Sequence, residues 1–189
     1  MTSFSGTISQ ALPFIAFAVT VVASIIDLRT RKIPNFLTFP AAALGIILSF
    51  FVATNTGLMA ILGWIVGAGI MIAFNLFGNK KKMGFGDAKL IAAVGAFLGL
   101  KVCIAWGYFA VLYGLVAAFK FVTAIPWRYF GDLLKGATIG VAAPLDTEAV
   151  QKLNTVMNEP IPLAPLIALG TLTSILLDKP TLQFLGLPG

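Results

Sequence analysis

The chain has 189 residues, of which 59% are hydrophobic and 11% are charged, and its mean hydropathy is +0.98. Soluble domains contain about 25% charged residues, so this composition predicts an integral membrane protein. There is no histidine and a single cysteine, Cys103, which together exclude a Ser-His-Asp triad, a Cys-His dyad, histidine or multi-cysteine zinc sites and an internal disulfide. Any chemistry must therefore use carboxylates, lysines or hydroxyls.

Six apolar runs predict six membrane-spanning helices, because a span needs about 20 mostly apolar residues. Their predicted bounds, in chain order, are residues 7–26, 36–52, 58–77, 88–100, 102–122 and 161–177. The break between the fourth and fifth runs falls either at Lys101 or at Trp106-Gly107. Because the runs leave no room for a separate soluble domain, we expect one all-α, membrane-embedded domain over residues 1–189.

Basic residues lie mostly on one side of the predicted bilayer. If the N-terminus is outside, all but two of the 13 lysines and arginines fall on the inner side, the exceptions being Lys101 and Lys179. This bias predicts a multi-pass protein of the cytoplasmic (inner) membrane with both termini outside. The lipid bilayer thus accounts for the net charge of +6, and no nucleic-acid partner is expected.

The longest predicted connection, residues 124–159, falls on the inner side. It mixes aromatic residues and leucines with charged residues, which predicts amphipathic segments at the membrane interface. The simpler interpretation is a surface loop that docks on the membrane, and the alternative is an element that contacts a substrate.

Two of the seven acidic residues lie at the predicted inner ends of membrane helices. Asp27 closes the first apolar run and Asp87 opens the fourth. Two close carboxyl groups can share a proton and act on a water as acid and base, which is the chemistry of aspartic proteases and needs no metal or cofactor. The structural alternative is that Asp27 pairs with Arg29 or Arg31 and that Asp87 caps the fourth helix.

Two glycines, Gly84 and Gly86, flank Phe85 immediately before Asp87. Glycine permits positive φ and close backbone approach. The fourth predicted helix is also short, about 13 residues or roughly 20 Å against a hydrocarbon core of about 30 Å. We therefore expect "MGFGD" to dip into the membrane and carry Asp87 with it. A phosphate-binding loop is the weaker alternative, because the GK[ST] ending and a preceding strand are missing.

Three motifs, in chain order, resemble those of the type IV prepilin peptidases, which are membrane aspartic proteases of the GxGD type. "DLRTRKIPN" resembles the motif of the first aspartate, "MGFGDAKL" the GxGD signature and "IPLAPLIALG" the start of the last helix. The resemblance implies that Asp27 and Asp87 are catalytic, that Gly84 and Gly86 shape the active-site loop, and that Lys89 is the family's lysine after GxGD. It also implies hydrolysis of the short basic leader of a prepilin or pseudopilin at the cytoplasmic membrane face, in type IV pilus assembly or protein secretion.

The chain also differs from the larger members of that family, which carry paired cysteines for zinc in an N-terminal region and N-methylate the new terminus. With one cysteine and a chain that starts at the first helix, we expect no methyltransferase activity. The layout resembles the short, peptidase-only branch that serves tight-adherence (Flp-type) pili.

Two other classes of protein fit the same residues. The first is a small polytopic transporter in which the two aspartates line an ion path, and the second is an assembly scaffold in which they are structural. Two pairs with GxxxG spacing, Gly63/Gly67 and Gly95/Gly99, are expected to pack helices within one chain, with a dimer as the alternative, so the oligomeric state stays open.

Overall fold

The computed structural model describes residues 2–77, 84–124, 151, 154–156 and 161–184. Its helices are α1 (Thr2–Thr30), α2 (Asn35–Val52), α3 (Thr54–Phe77), α4 (Phe85–Leu98), α5 (Val102–Ala124), α6 (Ala164–Leu176) and α7 (Asp178–Phe184). A 3₁₀ turn, Gly99–Lys101, separates α4 from α5. These described ranges contain no strand, which confirms the predicted all-α fold.

The six predicted spans correspond to α1–α6, but the helix ends differ. α1 continues through Asp27 to Thr30. The apolar run predicts that α4 begins after Asp87. The helix instead begins at Phe85, so Asp87 lies inside its first turn. The short helix α7 is not predicted, because its sequence, "DKPTLQF", is too polar and too brief to give an apolar run.

The chain breaks between α4 and α5 at Gly99–Lys101, the first of the two predicted places. Gly99 has a φ of 60°, a left-handed conformation that glycine adopts without steric cost. The alternative break at Trp106-Gly107 is wrong, because α5 runs through both residues.

Three helical stretches in the described ranges are long and apolar enough to cross a membrane: Phe4–Thr30, Asn35–Val52 and Phe85–Ala124. The third contains α4 and α5 together, divided at Gly99. Two shorter apolar helices, Thr56–Ile70 and Ala164–Leu176, accompany them. The chain is thus a multi-pass helical membrane protein. The predicted amphipathic segments of residues 124–159 lie almost wholly outside the described residues.

The chain divides into two compact units, residues 1–110 with 162–189, and residues 111–161. The first unit contains α1–α4, the beginning of α5, and α6 and α7. In the second unit the described structure is mainly the rest of α5, where Val111, Leu115 and Phe119 are each more than half exposed. Apolar side chains on the outside of a helix are what a lipid environment favours.

Helix α4 is the centre of the first unit, where it contacts α1, α2, α3 and α6. Ala88 and residues 90–97, "LIAAVGAF", are all buried. A helix that is buried on every side needs a sequence with no polar face, and residues 90–97 contain no polar side chain. The first turn of α4, which carries Asp87, precedes this enclosed stretch and is more exposed.

Small residues let α3 and α4 approach at backbone distance. A Cβ atom on Gly95 would lie 2.5 Å from the carbonyl carbon of Gly63, and a Cβ atom on Gly67 would lie 2.8 Å from the carbonyl oxygen of Ile91. Both distances are shorter than side chains tolerate. Gly63 thus packs against Gly95 and Gly99, and Gly67 packs against Ile91, so the glycines at GxxxG spacing pack helices within one chain, as expected.

Candidate active site

Asp27 lies in the last turn of α1 with 8% of its surface exposed. The helix ends in a left-handed cap, in which Arg31 has a φ of 52° and its N–H donates to the Asp27 carbonyl oxygen at 2.7 Å. This cap satisfies one of the free carbonyl groups at the helix end. The left-handed conformation of Arg31 is about 1–2 kcal/mol less favourable than the same conformation would be for glycine. The cap turns the chain so that Ile33 and Asn35 face α4.

The face of α1 that carries Asp27 is polar for two turns. Thr20 and Ser24 are buried there, and both hydroxyls are satisfied within the helix. The Ser24 hydroxyl donates to the Thr20 carbonyl oxygen at 2.6 Å, and the Thr20 hydroxyl donates to that of Phe17 at 2.7 Å. These two hydroxyl groups therefore donate their hydrogen bonds within α1 and not to the Asp27 carboxyl group.

The structure does not support a merely structural role for Asp27 as a partner of Arg29 or Arg31. Within the described ranges, neither arginine forms an ion pair with it, and the ion pair found there joins Lys101 to Asp178. Within those ranges, an ion pair with an arginine therefore does not account for the buried carboxyl group of Asp27.

Asp87 is the third residue of α4, and Gly84 is the N-cap. The Asp87 carboxylate accepts hydrogen bonds from the backbone N–H groups of Gly84 and of Asp87 itself. The first of these bonds is the acidic half of a capping box, so Asp87 does stabilise the helix start, from the third position and not as the N-cap. A carboxylate has about four lone-pair sites, so two donors leave acceptor capacity for a water or a substrate.

The carboxyl groups of Asp27 and Asp87 lie at the same end of the helix bundle, close enough to interact electrostatically. The order of the helices explains this: α1 ends at the end of the bundle where α4 begins. Two carboxyl groups that lie close together can share a single proton. The structure therefore brings together the two aspartates that the sequence singles out.

Glycine at position 86 lets the two aspartate motifs touch. A Cβ atom on Gly86 would lie 3.1 Å from the Cβ of Ile33, and one on Gly84 would lie 3.1 Å from Oδ2 of Asp87. Gly84 is extended, with φ −61° and ψ 138°, and neither glycine has a positive φ. Of the two properties of glycine considered from the sequence, close approach applies here and the left-handed conformation does not. Residues 80–83 lie outside the described ranges, so the dip of this loop into the membrane stays a prediction.

Lys89 joins α4 to the start of α2. Its ammonium group donates to Oδ1 of Asn35 at 2.9 Å and lies 5.3 Å from the centre of the Phe39 ring. Asn35 is not among the residues predicted for the site, although it ends the "DLRTRKIPN" motif. The signal for it is a polar side chain placed at the first position of an otherwise apolar helix. The two motifs thus meet at three places: Asp27 with Asp87, Ile33 with Gly86, and Asn35 with Lys89.

Comparison with known proteins is consistent with this geometry. A model described as the type IV leader peptidase family matches residues 14–123, which is more than half of the chain and includes both aspartates. The prepilin leader peptidase/N-methyltransferase of Escherichia coli K12 is 33% identical over 104 residues, covering 51% of this chain and 44% of that protein. The protein of the same name from Neisseria gonorrhoeae is 34% identical over 108 residues, covering 53% and 37%.

A longer match is found with the prepilin leader peptidase/N-methyltransferase of Burkholderia pseudomallei K96243, which is 25% identical over 173 residues, covering 89% of this chain and 47% of that protein. The chain thus spans less than half the length of these curated relatives. No solved structure shows a significant match.

Proposed function

Because the chain belongs to the type IV leader peptidase family, we propose that it is a membrane aspartic endopeptidase that removes the short basic leader of a prepilin or pseudopilin. The observation that carries this proposal is that the Asp27 and Asp87 carboxyl groups lie at one end of the helix bundle, close enough to interact electrostatically. The names of the relatives supply the substrate class. In this proposal residues 1–189 act as one membrane-embedded peptidase domain.

The proposed reaction is hydrolysis by a carboxyl pair that shares one proton. The ionised carboxylate accepts a proton from a water, whose oxygen attacks the carbonyl carbon of the scissile bond. The protonated carboxyl group donates its proton to the carbonyl oxygen. The resulting tetrahedral intermediate then breaks its C–N bond as the amine takes up a proton, so the water is divided between the two products.

Several contacts support this role by fixing the two carboxyl groups. The backbone N–H groups of Gly84 and Asp87 hold one carboxylate, while burial at the capped end of α1 restricts the other. Fixed geometry matters because misplacement by about 1 Å can lower a rate about 10²-fold. Lys89 and Asn35 act as positioning residues, since their hydrogen bond ties the first turn of α4 to the first turn of α2.

We further propose that cleavage occurs at the cytoplasmic face of the inner membrane and leaves the new N-terminus unmethylated. The basic residues around both aspartate motifs favour the cytoplasmic side. The single cysteine, Cys103, leaves no cysteine pair for the zinc site that the resemblance assigns to methylating members. Mass spectrometry of the mature product measures the methyl group directly.

Co-expression with a candidate prepilin tests the proposal against both rival classes. A peptidase produces a smaller pilin band on a gel and a free leader. A transporter would produce charge-dependent flux in proteoliposomes without proteolysis, and a scaffold would produce neither. If the purified protein leaves several prepilins intact, the peptidase proposal is wrong.

Substitution of Asn35 tests the positioning role of the bond to Lys89. In Asn35→Ala the ammonium group loses its acceptor, and we expect kcat/KM for prepilin to fall about tenfold, the size of one hydrogen bond to a charged group. Asn35→Asp keeps an acceptor at the first position of α2 and should retain most of the activity. A wild-type kcat/KM in Asn35→Ala would show that the bond does not position the site.

Substitution of Gly86 tests the close approach between the two motifs. In Gly86→Val the added side chain presses on Ile33 and pushes the start of α4 away from the α1–α2 turn. We expect the cleavage rate to fall about 100-fold, with a smaller loss in Gly86→Ala. Gly69→Val, on α3, is the matched control, because a Cβ atom there meets nothing within 4 Å. Equal rates for the two valine variants would contradict the prediction.

A further inference from the structure

A cleft of about 150 Å³ lies between α2, α3 and α4, and its walls are mostly apolar. Neither aspartate of the candidate active site lines it. Four of its lining residues, Phe39, Trp64, Ile72 and Phe85, are between 37% and 72% exposed. The cleft therefore opens to the outside of the helix bundle, where a membrane protein meets lipid, and is not an internal packing defect.

Thr38, on α2, lines the cleft with a hydroxyl group that has no partner. Only 2% of the residue is exposed, and its Oγ1 atom forms no hydrogen bond within the part of the chain that the structure describes. A helical Ser or Thr can donate to the carbonyl oxygen four residues earlier, as Ser24 and Thr171 do. For Thr38 that oxygen belongs to Pro34, where it already accepts the backbone N–H groups of Leu37 and Thr38. Because a carbonyl oxygen has two lone pairs, the hydroxyl group is left for a ligand in the cleft.

Lys89, on α4, adds a positive charge to the same cleft. Its ammonium group donates to the neutral amide of Asn35 and lies 5.3 Å from the centre of the Phe39 ring. Among the described residues, the ion pair that forms joins Lys101 to Asp178, so no carboxylate there neutralises Lys89. An ammonium group has three donors, and the bond to Asn35 uses one of them. The cleft thus presents a cation and a free hydroxyl group, which an anionic group rich in oxygen atoms would satisfy together.

The polar and apolar parts of the cleft are ordered by depth in the membrane. Thr38 and Lys89 lie in the first two turns of α2 and α4, and α2 is long enough to cross a membrane, so both residues are near a membrane interface. From that end the cleft follows α3 from Ile72 to Trp64, about 12 Å further into the bilayer. An apolar cavity of about 150 Å³ can hold a benzene ring, so this cleft has room for a segment of an acyl chain. A phospholipid has the same order, with its phosphate at the interface and its chains below.

We propose that the cleft binds one anionic phospholipid, with an acyl chain between α2, α3 and α4. The phosphate group pairs with the Lys89 ammonium group, and the Thr38 hydroxyl group donates to an oxygen of the phosphate or of the glycerol ester. A zwitterionic lipid carries the same phosphate together with a cation that Lys89 repels, so the site favours a lipid with net negative charge. The inference does not depend on the proposed peptidase function, because it rests on residues of the cleft and concerns binding alone.

Two lipids with the same chains, dioleoylphosphatidylglycerol and dioleoylphosphatidylcholine, test the site. The full-length protein in detergent is titrated with each lipid, and bound lipid is counted by native mass spectrometry. We expect the wild-type protein to bind the anionic phosphatidylglycerol about fivefold more tightly, the size of one partly exposed ion pair. In Thr38→Val, which keeps the side-chain shape, the Kd for phosphatidylglycerol should rise about tenfold, the size of one hydrogen bond to a charged group. Ser49→Ala is the matched control, because Ser49 is another buried hydroxyl group of α2 without a partner in the described ranges, and it does not line the cleft.

Two further variants separate the headgroup from the acyl chain. Lys89→Gln should remove the preference for phosphatidylglycerol and leave the binding of phosphatidylcholine unchanged. Ala68→Phe places a ring in the cleft and should weaken the binding of both lipids, whereas Ala43→Phe makes the same change at an exposed position of α2 outside the cleft and should weaken neither.

Melting temperatures without added lipid show whether each variant is folded. Thr38→Val should be at least as stable as wild type there, since it removes a buried hydroxyl group that lacks a partner within the described ranges. Wild-type binding of phosphatidylglycerol by both Thr38→Val and Ala68→Phe would overturn the inference and leave the cleft to an occupant other than lipid. Equal binding of the two lipids by the wild-type protein would overturn the choice of an anionic headgroup.

Discussion

Asp27→Asn and Asp87→Asn are each expected to abolish leader cleavage. Asparagine preserves the shape of the side chain but can neither accept the proton of the attacking water nor hold the shared proton. General acid–base catalysis contributes about 10²–10⁴-fold to a rate, and a loss of that size removes the mature product from a gel assay. The measurement is the fraction of prepilin processed per unit of membrane-inserted protein, on co-expression and after purification.

Asp178→Asn is the matched control for the aspartate variants. Asp178 is a partly exposed carboxylate in the first turn of α7. It pairs with Lys101, which lies just after the C-terminal end of α4. We expect this variant to process prepilin at the wild-type rate. Normal processing by either Asp27→Asn or Asp87→Asn would refute the carboxyl pair as the catalytic machinery.

Stability separates a catalytic from a structural role at the same position. Asp27 is buried, lies close to a second carboxyl group and has no ion pair with Arg29 or Arg31. A neutral amide at this position neither repels the second carboxyl group nor carries the cost of a buried charge, so Asp27→Asn should be at least as thermostable as wild type. If Asp27 were a structural anchor, the same change would lower the melting temperature in detergent.

The second large effect is expected at Gly95, where α3 and α4 touch through their backbones. The Cβ atom of Gly95→Ala would overlap the Gly63 carbonyl group, which cannot turn aside as a flexible side chain can. We expect destabilisation at or above the upper end of the 1–3 kcal/mol typical of overpacking. Low accumulation in the membrane and a lower melting temperature in detergent are the corresponding measurements.

Gly107→Ala is the matched control for Gly95→Ala. Gly107 lies within α5, and a Cβ atom there meets nothing within 4 Å. Alanine favours a helix over glycine by about 1 kcal/mol, so this variant should be as stable as wild type or more so. Equal melting temperatures for the two alanine variants would show that the contact between α3 and α4 is looser than the structure has it.

Hydropathy predicts the number of helices well and their ends poorly. The apolar runs correspond to α1–α6, because a long apolar stretch has few alternatives to a membrane helix. The ends differ because hydrogen bonding and not hydropathy decides where a helix stops. The polar segment from Asp27 to Thr30 and the "FGD" start of α4 are helical although they lie outside or at the margin of the apolar runs.

The aspartate pair follows from the sequence, whereas the contacts that support it do not. Alternating helices put Asp27 and Asp87 at one end of the bundle, and this requires only the order of the runs. The hydrogen bond from Lys89 to Asn35 depends on how far each helix is rotated about its own axis. A single sequence gives no measure of that rotation between two apolar helices. For the same reason, the contact of Gly86 with Ile33 emerges only from the structure.

The glycine contact between α3 and α4 also affects which parts of the candidate active site can move. Helices in contact through backbone atoms have no side chains between them that can change rotamer, so they move as one stiff body. Asp87 belongs to that body. Asp27 is attached through a left-handed turn at Arg31, a strained joint that stores about 1–2 kcal/mol. We therefore expect motions that widen the gap between the two carboxyl groups to occur more readily at the α1–α2 turn than between α3 and α4.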